Sequence, residues 1–177
     1  MEYRNNKIKG WMGTRDLHWL FEIAKEMENI VEIGSWKGRS THALLSGCSG
    51  VVYAVDHFLG SKDENDSTHK EGKESDIYSQ FLDNVGSFDN LKILRMSSLD
   101  AVKQFEDKSV DMVFIDGGHS YEEVVQDIKA WLPKCKKLLC GHDIPYDSVS
   151  KAVKDTIGDV EINIKRGTIW VKHINAV

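Results

Sequence analysis

Four side chains with acid–base and metal-binding chemistry follow two short apolar stretches of this sequence. Asp116 and His119 come after the first stretch. His142 and Asp143 come after the second. Carboxylates bind hard divalent cations, and an imidazole can move a proton near neutral pH. If both stretches are neighbouring parallel strands, their carboxyl ends bring all four side chains to one rim of the sheet. Taken singly, each residue is equally well explained as an ordinary strand-end or packed residue.

A second group of residues has the spacing of a ligand-binding loop. The segment VEIGSWKGRST leads from an apolar strand through Gly34 and Gly38 into a helix, and Asp56 closes the next strand. Trp36 occupies the position where the dinucleotide fingerprint needs its second glycine. Because a carboxylate can accept hydrogen bonds from both ribose hydroxyls, the pattern indicates a nucleoside ligand without a bridging phosphate. The alternative is that the glycines only permit a tight turn and that Asp56 is an exposed acid.

The elements that must position these residues alternate between helix and strand. Apolar residues at helical spacing predict a first helix over residues 14–27, capped by Thr14. Continuous apolar runs between helices predict doubly buried parallel strands. A final hairpin is predicted around residues 166–167. The expected fold is α/β: a Rossmann-like, doubly wound, mostly parallel seven-stranded sheet closed by a C-terminal antiparallel hairpin. The strand segments are IVEI, VVYAV, LKILR, VDMVFI and KKLLC.

One polar segment interrupts this alternation. Residues 60–76 contain no strongly apolar side chain and are too long for an ordinary connection. We expect a single domain over residues 1–177 with a mobile insertion at about 60–76. The insertion either covers the acceptor as a lid or is a plain disordered loop.

Composition and charge exclude several function classes. The chain has 177 residues, a formal net charge of −5 and no basic tract, which argues against nucleic acid or an anionic membrane as partner. It has no 18-residue apolar run and no signal-peptide core at its N-terminus, so a cytoplasmic location is expected. Without a C-x-x-C pair, the three cysteines are interpreted as reduced thiols, with Cys140 in the core.

Four segments in order resemble the motif series of class I S-adenosylmethionine-dependent methyltransferases. They are VEIGSWKGRST, VYAVDHF, VDMVFIDGGHSYEEVVQDI and GHD, and the resemblance covers roughly residues 10–157. The sequence is most similar to the small O-methyltransferase group with a D-G-x-H-S-Y signature, often called family 24. That group is related to metal-dependent sugar and macrolide O-methyltransferases. The resemblance implies methylation of a small hydroxylated acceptor, a sugar or a secondary metabolite.

The resemblance also implies how the cofactor S-adenosyl-L-methionine would lie. Glu32 would lie near the amino group of its methionine part. Asp56 would take the ribose diol, with His57 beside it. The other residues implied around the cofactor are Gly34, Ser35, Trp36 and Gly38 along the methionine part, Ser40 at the helix start, Ser98 and Leu99 beside the adenine, and Asp116.

Related metal-dependent enzymes take their metal ligands at the positions of Asp116, His142 and Asp143. Their general base lies at the position of His119, and Asp116 is implied in catalysis as well. A divalent cation, Mg²⁺ or Mn²⁺, would hold the acceptor oxygen and lower the pKa of its hydroxyl. The middle ligand is a histidine here rather than an acid or amide. Because of this difference, softer ions such as Fe²⁺ and Zn²⁺ are also candidates for the site. It also leaves open whether a metal is used at all.

Other functions remain as alternatives. One is a non-catalytic module that binds S-adenosylmethionine or S-adenosylhomocysteine, and a weaker one is a metal-dependent hydrolase. The segment DIPY resembles a motif of nucleic-acid methyltransferases, but it follows the fifth strand and the chain is acidic. The expected partner is therefore a small hydroxylated molecule, not nucleic acid or membrane. A homo-oligomer with Trp11 or Trp19 at its interface is left open.

Overall fold

Helices and strands alternate along the chain in the computed structural model, which describes residue 3, residues 7–60 and residues 67–174. The helices are α1 (Thr14–Ala24), α2 (Arg39–Gly47), α3 (Ser67–Glu74), α4 (Ile77–Val85), α5 (Ser98–Ala101), α6 (Tyr121–Trp131) and α7 (Asp147–Ile157). The strands are β1 (Asn29–Ile33), β2 (Val51–Val55), β3 (Leu91–Leu94), β4 (Val110–Ile115), β5 (Cys135–Gly141), β6 (Glu161–Ile162) and β7 (Trp170–His173).

The strands form one sheet in the order β3-β2-β1-β4-β5-β7-β6. The pairs among β1 to β5 are parallel, and β7 is antiparallel to both β5 and β6. The predicted Rossmann-like, mostly parallel seven-stranded sheet with an antiparallel C-terminal end is confirmed. The strand order reverses between β1 and β4, which is where open α/β sheets bind their ligands. A single domain over residues 1–177 stays a prediction.

Both faces of the sheet are covered by helices, so its central strands are buried and mostly apolar, with Glu32 of β1 and Asp111 of β4 as buried acids. All six residues of β4 are buried. Met112 and Phe114 point into the core that holds α1, α2 and α4, whereas Val113 and Ile115 point into the core with α6 and α7. Alternate residues of one strand thus fill two separate cores, which explains the continuous apolar runs. The cysteines are free and buried, including Cys140 as expected.

Two local predictions were wrong. Thr14 does not cap α1, because the extended residue before the helix is Gly13, and no side chain caps it. The helix ends at Ala24 rather than at residue 27. The predicted insertion contains α3, while residues 61–66 lie outside the described part of the chain. Apolar periodicity could not reveal α3, because its sequence, STHKEGKE, has no apolar face. Its contacts are polar or made by the backbone: Glu71 forms an ion pair with Lys37, and the Gly72 backbone packs closely against Leu59.

Among the residues that the structure describes, every helix is too short or too polar to cross a bilayer.

Candidate active site

The ends of β4 and β5 bring the predicted acid–base residues together. Parallel pairing sets Ile115 opposite Gly141, so the residues that follow leave the sheet side by side. The Nδ1 atom of His142 lies 3.3 Å from Asp116 Oδ1 and 3.1 Å from Asp143 Oδ2. The β-sheet register therefore places two carboxylates around one ring nitrogen.

His119 joins this cluster from the loop before α6. Its Nε2 atom is 2.8 Å from Asp143 Oδ2, and 42% of its side chain is exposed. Its ring stacks on the ring of Tyr146, with centroids 5.4 Å apart and planes 9° apart. The Ser148 hydroxyl donates to the His119 carbonyl at 2.7 Å. The structure thus brings together all four residues that the sequence analysis expected at this rim.

The turn after β5 carries local backbone strain. Asp143 has a φ of 59°, in the left-handed region that costs a non-glycine residue about 1–3 kcal/mol. The turn closes when Tyr146 N donates to the Asp143 carbonyl at 2.9 Å. This strained turn aims the Asp143 carboxylate at the cluster and places Tyr146 under His119, a contact that the sequence analysis missed.

Charge and burial shift the pKa values of the cluster in opposite directions. Burial lowers the pKa of His142, but the carboxylates of Asp116 and Asp143 outweigh that effect and raise it to about 10. Burial raises the pKa of Asp116, and the neighbouring His142 offsets this only in part. Burial would also raise the pKa of Asp143, yet hydrogen bonds from His119 and His142 hold it well below its usual range. Without a cation, His142 is therefore an imidazolium between carboxylates.

The donor atoms of Asp116, His142 and Asp143 fit a divalent cation. One ligand atom from each lies within 4.8 Å of the others. A cavity of about 10 Å³ lies among residues of this cluster, which is room for one water-sized group. Two carboxylates and one imidazole suit Mn²⁺, Fe²⁺ or Zn²⁺, provided that the imidazole is neutral.

The two glycines of the loop after β1 are explained by packing within the protein. Gly34 has a φ of 86°, and a Cβ atom there would lie 2.1 Å from the Asp116 carbonyl oxygen. Gly38 also has a φ of 86°, and a Cβ atom there would lie 3.1 Å from Val85 in α4. The expectation that both glycines make room for a ligand is therefore not needed to explain them. Gly34 allows β1 to approach the end of β4 instead.

Asp56 lies on the same edge as this loop, as expected. Its Oδ2 atom accepts from Trp36 N at 2.7 Å, and its Oδ1 atom accepts from Phe58 N at 2.6 Å. Trp36 itself has a left-handed φ of 47°. His57 lies beside it, with Nδ1 accepting from Leu59 N at 3.0 Å. Each carboxylate oxygen of Asp56 keeps lone-pair capacity for a further donor such as a ribose hydroxyl.

Glu32 is fully buried under the loop. Its Oε2 atom accepts from the Thr41 hydroxyl at 2.5 Å. Within the described residues, its Oε1 atom and the Ser35 hydroxyl are buried without a hydrogen-bond partner. A buried unpaired polar atom costs about 1–3 kcal/mol. An ammonium group and a carboxylate, such as the methionine part of the expected cofactor carries, would supply the missing partners.

Glu32 should make the stability of the protein depend on pH. Burial raises its folded-state pKa from 4.5 to about 7; the nearby hydroxyls of Ser40, Thr41 and Ser35 oppose this rise, and the Asp116 carboxylate adds to it. Because the folded state binds this proton more tightly than the unfolded chain does, the group stabilises the folded protein fully below about pH 4.5. That contribution to stability is lost as pH rises through about 7. The variant Glu32→Gln has no such titrating group. The difference between its free energy of unfolding and that of wild type should therefore shift in favour of the variant by up to about 3 kcal/mol as pH rises across that range.

Urea denaturation of both proteins at pH 5 and pH 8 measures this difference. Glu161→Gln, at an exposed position of β6, is the matched control and should follow wild type at both values. A Glu32→Gln variant whose difference from wild type is the same at both pH values would contradict the assignment.

Ser98 is held by two residues of α6. Its hydroxyl donates to Asp127 Oδ1 at 2.5 Å and accepts from Trp131 Nε1 at 2.8 Å. Burial raises the pKa of Asp127 to about 6, with Glu123 adding to it and Ser98 opposing it. This contact was not predicted from the sequence, although an acid on the apolar face of α6 was an available signal. Leu99 is 42% exposed next to it.

A larger cavity lies beside the glycine loop. Its volume is about 320 Å³, and Trp11, Trp36, Lys37 and Glu71 are among its lining residues. The Trp11 side chain is 65% exposed, and its ring centroid is 6.4 Å from that of Trp36. Trp19, by contrast, packs against the core. The cavity offers aromatic surface next to the loop.

Comparison with protein families gives one match that spans both groups of site residues. A family model described as a methyltransferase domain matches residues 31–144. The uncharacterized protein y4gI of Sinorhizobium fredii is 30% identical over 122 residues. That match covers 66% of this chain, and this chain spans only 13% of the length of y4gI.

Solved structures share the fold at low sequence identity. An O-methyltransferase from Bacillus cereus in complex with SAH has a TM-score of 0.62 and 15% identity, over 97% of this chain and 84% of that chain. A protein from Corynebacterium glutamicum has a TM-score of 0.65 and 15% identity, over 94% of this chain and 84% of that chain. At this identity the likeness supports the fold.

Proposed function

Because this chain belongs to the methyltransferase-domain family whose model spans residues 31–144, we propose that it transfers a methyl group from S-adenosylmethionine to a hydroxyl of a small acceptor. The resemblance inferred from the motifs is confirmed at the level of the family. One observation carries the proposal: the cluster of Asp116, His119, His142 and Asp143 lies beside the glycine loop, through the contact between Gly34 and the Asp116 backbone.

The cofactor would lie across the ends of β1 and β2. Glu32 Oε1 and the Ser35 hydroxyl, both buried and unpaired among the described residues, are the proposed partners of its methionine part. Asp56 is the proposed partner of the ribose, because its carboxylate lies against the loop at Trp36 and can still accept hydrogen bonds from ribose hydroxyls. When bound, the cofactor supplies an electrophilic methyl group on a sulfonium.

His119 is the proposed general base. It takes the proton of the acceptor hydroxyl while the oxygen–carbon bond forms and the carbon–sulfur bond breaks. Asp143 orients the imidazole through the contact at 2.8 Å and stabilises it once it is protonated. The stack on Tyr146 keeps the ring at the rim.

Asp116, His142 and Asp143 are the proposed metal ligands. An ion held there would orient the acceptor oxygen and lower the pKa of its hydroxyl. The acid and imidazole donors favour Mn²⁺, Fe²⁺ or Zn²⁺ over Mg²⁺, which prefers oxygen ligands.

The acceptor would enter from the cavity beside Trp11 and Trp36. A ring-shaped acceptor can lie on an indole face there, and the backbone N–H of Trp36, which lines this cavity, donates to Asp56. A cytoplasmic location and a small-molecule acceptor are parts of the same proposal.

Calorimetric titration with S-adenosylmethionine and S-adenosylhomocysteine tests the proposal directly. We expect both molecules to bind at one site per chain, and Asp56→Ala to weaken both. A panel of hydroxylated sugars and phenols, assayed for S-adenosylhomocysteine release with and without Mn²⁺, then tests turnover. Absence of binding by either molecule would contradict the proposal.

A further inference from the structure

A chain of hydrogen bonds leads from His142 away from the cluster and into the fold. His142 Nε2 lies 2.8 Å from the Thr168 hydroxyl, which donates to Asp16 Oδ2 at 3.0 Å. Asn163 Nδ2 donates to the other oxygen of Asp16 at 2.7 Å. His142 and Asp16 are only 8% and 6% exposed. The chain connects the first turn of α1, the end of β5 and the connection between β6 and β7.

The direction of these hydrogen bonds follows from the number of protons available. A threonine hydroxyl has one proton, and Thr168 gives it to the Asp16 carboxylate. The same oxygen must therefore accept from His142, so Nε2 of His142 carries a hydrogen. The opposite ring nitrogen, Nδ1, is the one that faces Asp116 and Asp143.

This arrangement matches what a metal-binding histidine requires. Such a histidine binds the ion through one nitrogen and donates the hydrogen of the other, which fixes the tautomer and the ring orientation. We propose that Thr168 and Asp16 are positioning residues for the cation site, which hold His142 so that Nδ1 is its ligand atom. The inference rests on the proposed function. Both residues lie outside the range 31–144 matched by the family model.

A purely structural role would also use these bonds, since they tie α1 to the C-terminal connection. The two roles differ in what they predict for metal affinity at equal stability. The experiment must therefore measure cation binding and unfolding on the same variants.

Thr168→Val removes the hydroxyl and keeps the shape of the side chain. We expect calorimetric titration with Mn²⁺ to show an affinity 10–100-fold below wild type, the range for loss of such a supporting contact. Thr168→Ser keeps the hydroxyl and should bind Mn²⁺ within about threefold of wild type. Urea denaturation of each variant separates this loss of affinity from a loss of folding.

Asp16→Asn is the second variant, should Thr168→Val fail to fold. Its amide can donate to the Thr168 oxygen and let the hydroxyl turn toward His142, which favours the tautomer with hydrogen on Nδ1. Mn²⁺ affinity should again fall while the fold is kept.

The outcomes separate this inference from the function it rests on. If wild type binds Mn²⁺ and the folded Val and Asn variants bind it equally well, the positioning role is wrong and the cation site stands. If wild type binds none of Mn²⁺, Zn²⁺ and Mg²⁺, the cation site and this inference both fall, while methyl transfer without a metal remains testable by turnover.

Discussion

Replacing His119 with alanine should lower the turnover of the methyl-transfer reaction by about 10²–10⁴-fold, the usual contribution of a general base. Cofactor affinity should change little, because His119 contacts Asp143 at the β4–β5 rim and is not one of the residues proposed to hold the methionine part or the ribose of the cofactor. The side chain is 42% exposed, so its removal leaves no buried cavity and the fold should persist. Initial rates at saturating cofactor, together with calorimetry, measure the two effects separately.

His173→Ala is the matched control, since this histidine is exposed on β7, outside the cluster. It should keep the wild-type turnover. A His119→Ala enzyme with wild-type turnover would exclude this residue as the base. A wild-type protein that binds S-adenosylmethionine but releases no S-adenosylhomocysteine with any acceptor would instead favour the non-catalytic binding module.

Replacing Gly34 with alanine should strongly destabilise the protein. A Cβ atom at this position would lie 2.1 Å from the Asp116 carbonyl oxygen, which is backbone and cannot turn aside. The clash should cost about 1–3 kcal/mol or more. The left-handed φ of 86° should add about 1–2 kcal/mol for a residue with a Cβ atom. Urea denaturation measures the total, and Mn²⁺ titration should show weaker binding because the end of β4 must shift.

Gly158→Ala is the control that isolates the clash. Gly158 also has a positive φ, of 73°, with a ψ of −145° that only glycine adopts readily, but nothing lies within 4 Å of a Cβ atom there. Both substitutions restrict the unfolded chain in the same way. Because the clash at Gly34 adds to the cost of a positive φ, Gly34→Ala should still lose about 1 kcal/mol or more beyond Gly158→Ala. Equal losses would show that the approach of β1 to Asp116 is not as close as described.

Much of the candidate site was predictable from the order of elements. Parallel strands that alternate with helices end at the same edge of a sheet, so Asp116, His119, His142 and Asp143 had to share one rim. Asp56 had to lie near the glycine loop for the same reason. The apolar runs predicted the buried strands, because a sheet covered on both faces has few polar positions.

Other features could not be predicted, because they depend on contacts without a local signal. Helix α3 contacts the glycine loop through the ion pair between Glu71 and Lys37. It has no apolar face from which it could have been predicted. The glycine pattern left open whether Gly34 makes room for a ligand or only permits a tight turn, and it did not reveal that the packing of β1 against the end of β4 also requires a glycine there. The sequence shows that a position is glycine, but only the folded structure shows which atoms lie where its side chain would be.

The amino-acid sequence alone determined the alternation of helices and strands and the chemical types at the rim, since both follow from hydrophobic periodicity and residue identity. Only the tertiary structure decided which ring nitrogen of His142 faces the carboxylates. That choice depends on Asp16 and Thr168, which are 152 positions apart in the chain. They meet because β7 pairs antiparallel with β5 and brings the preceding connection back to α1, a register that no local pattern encodes.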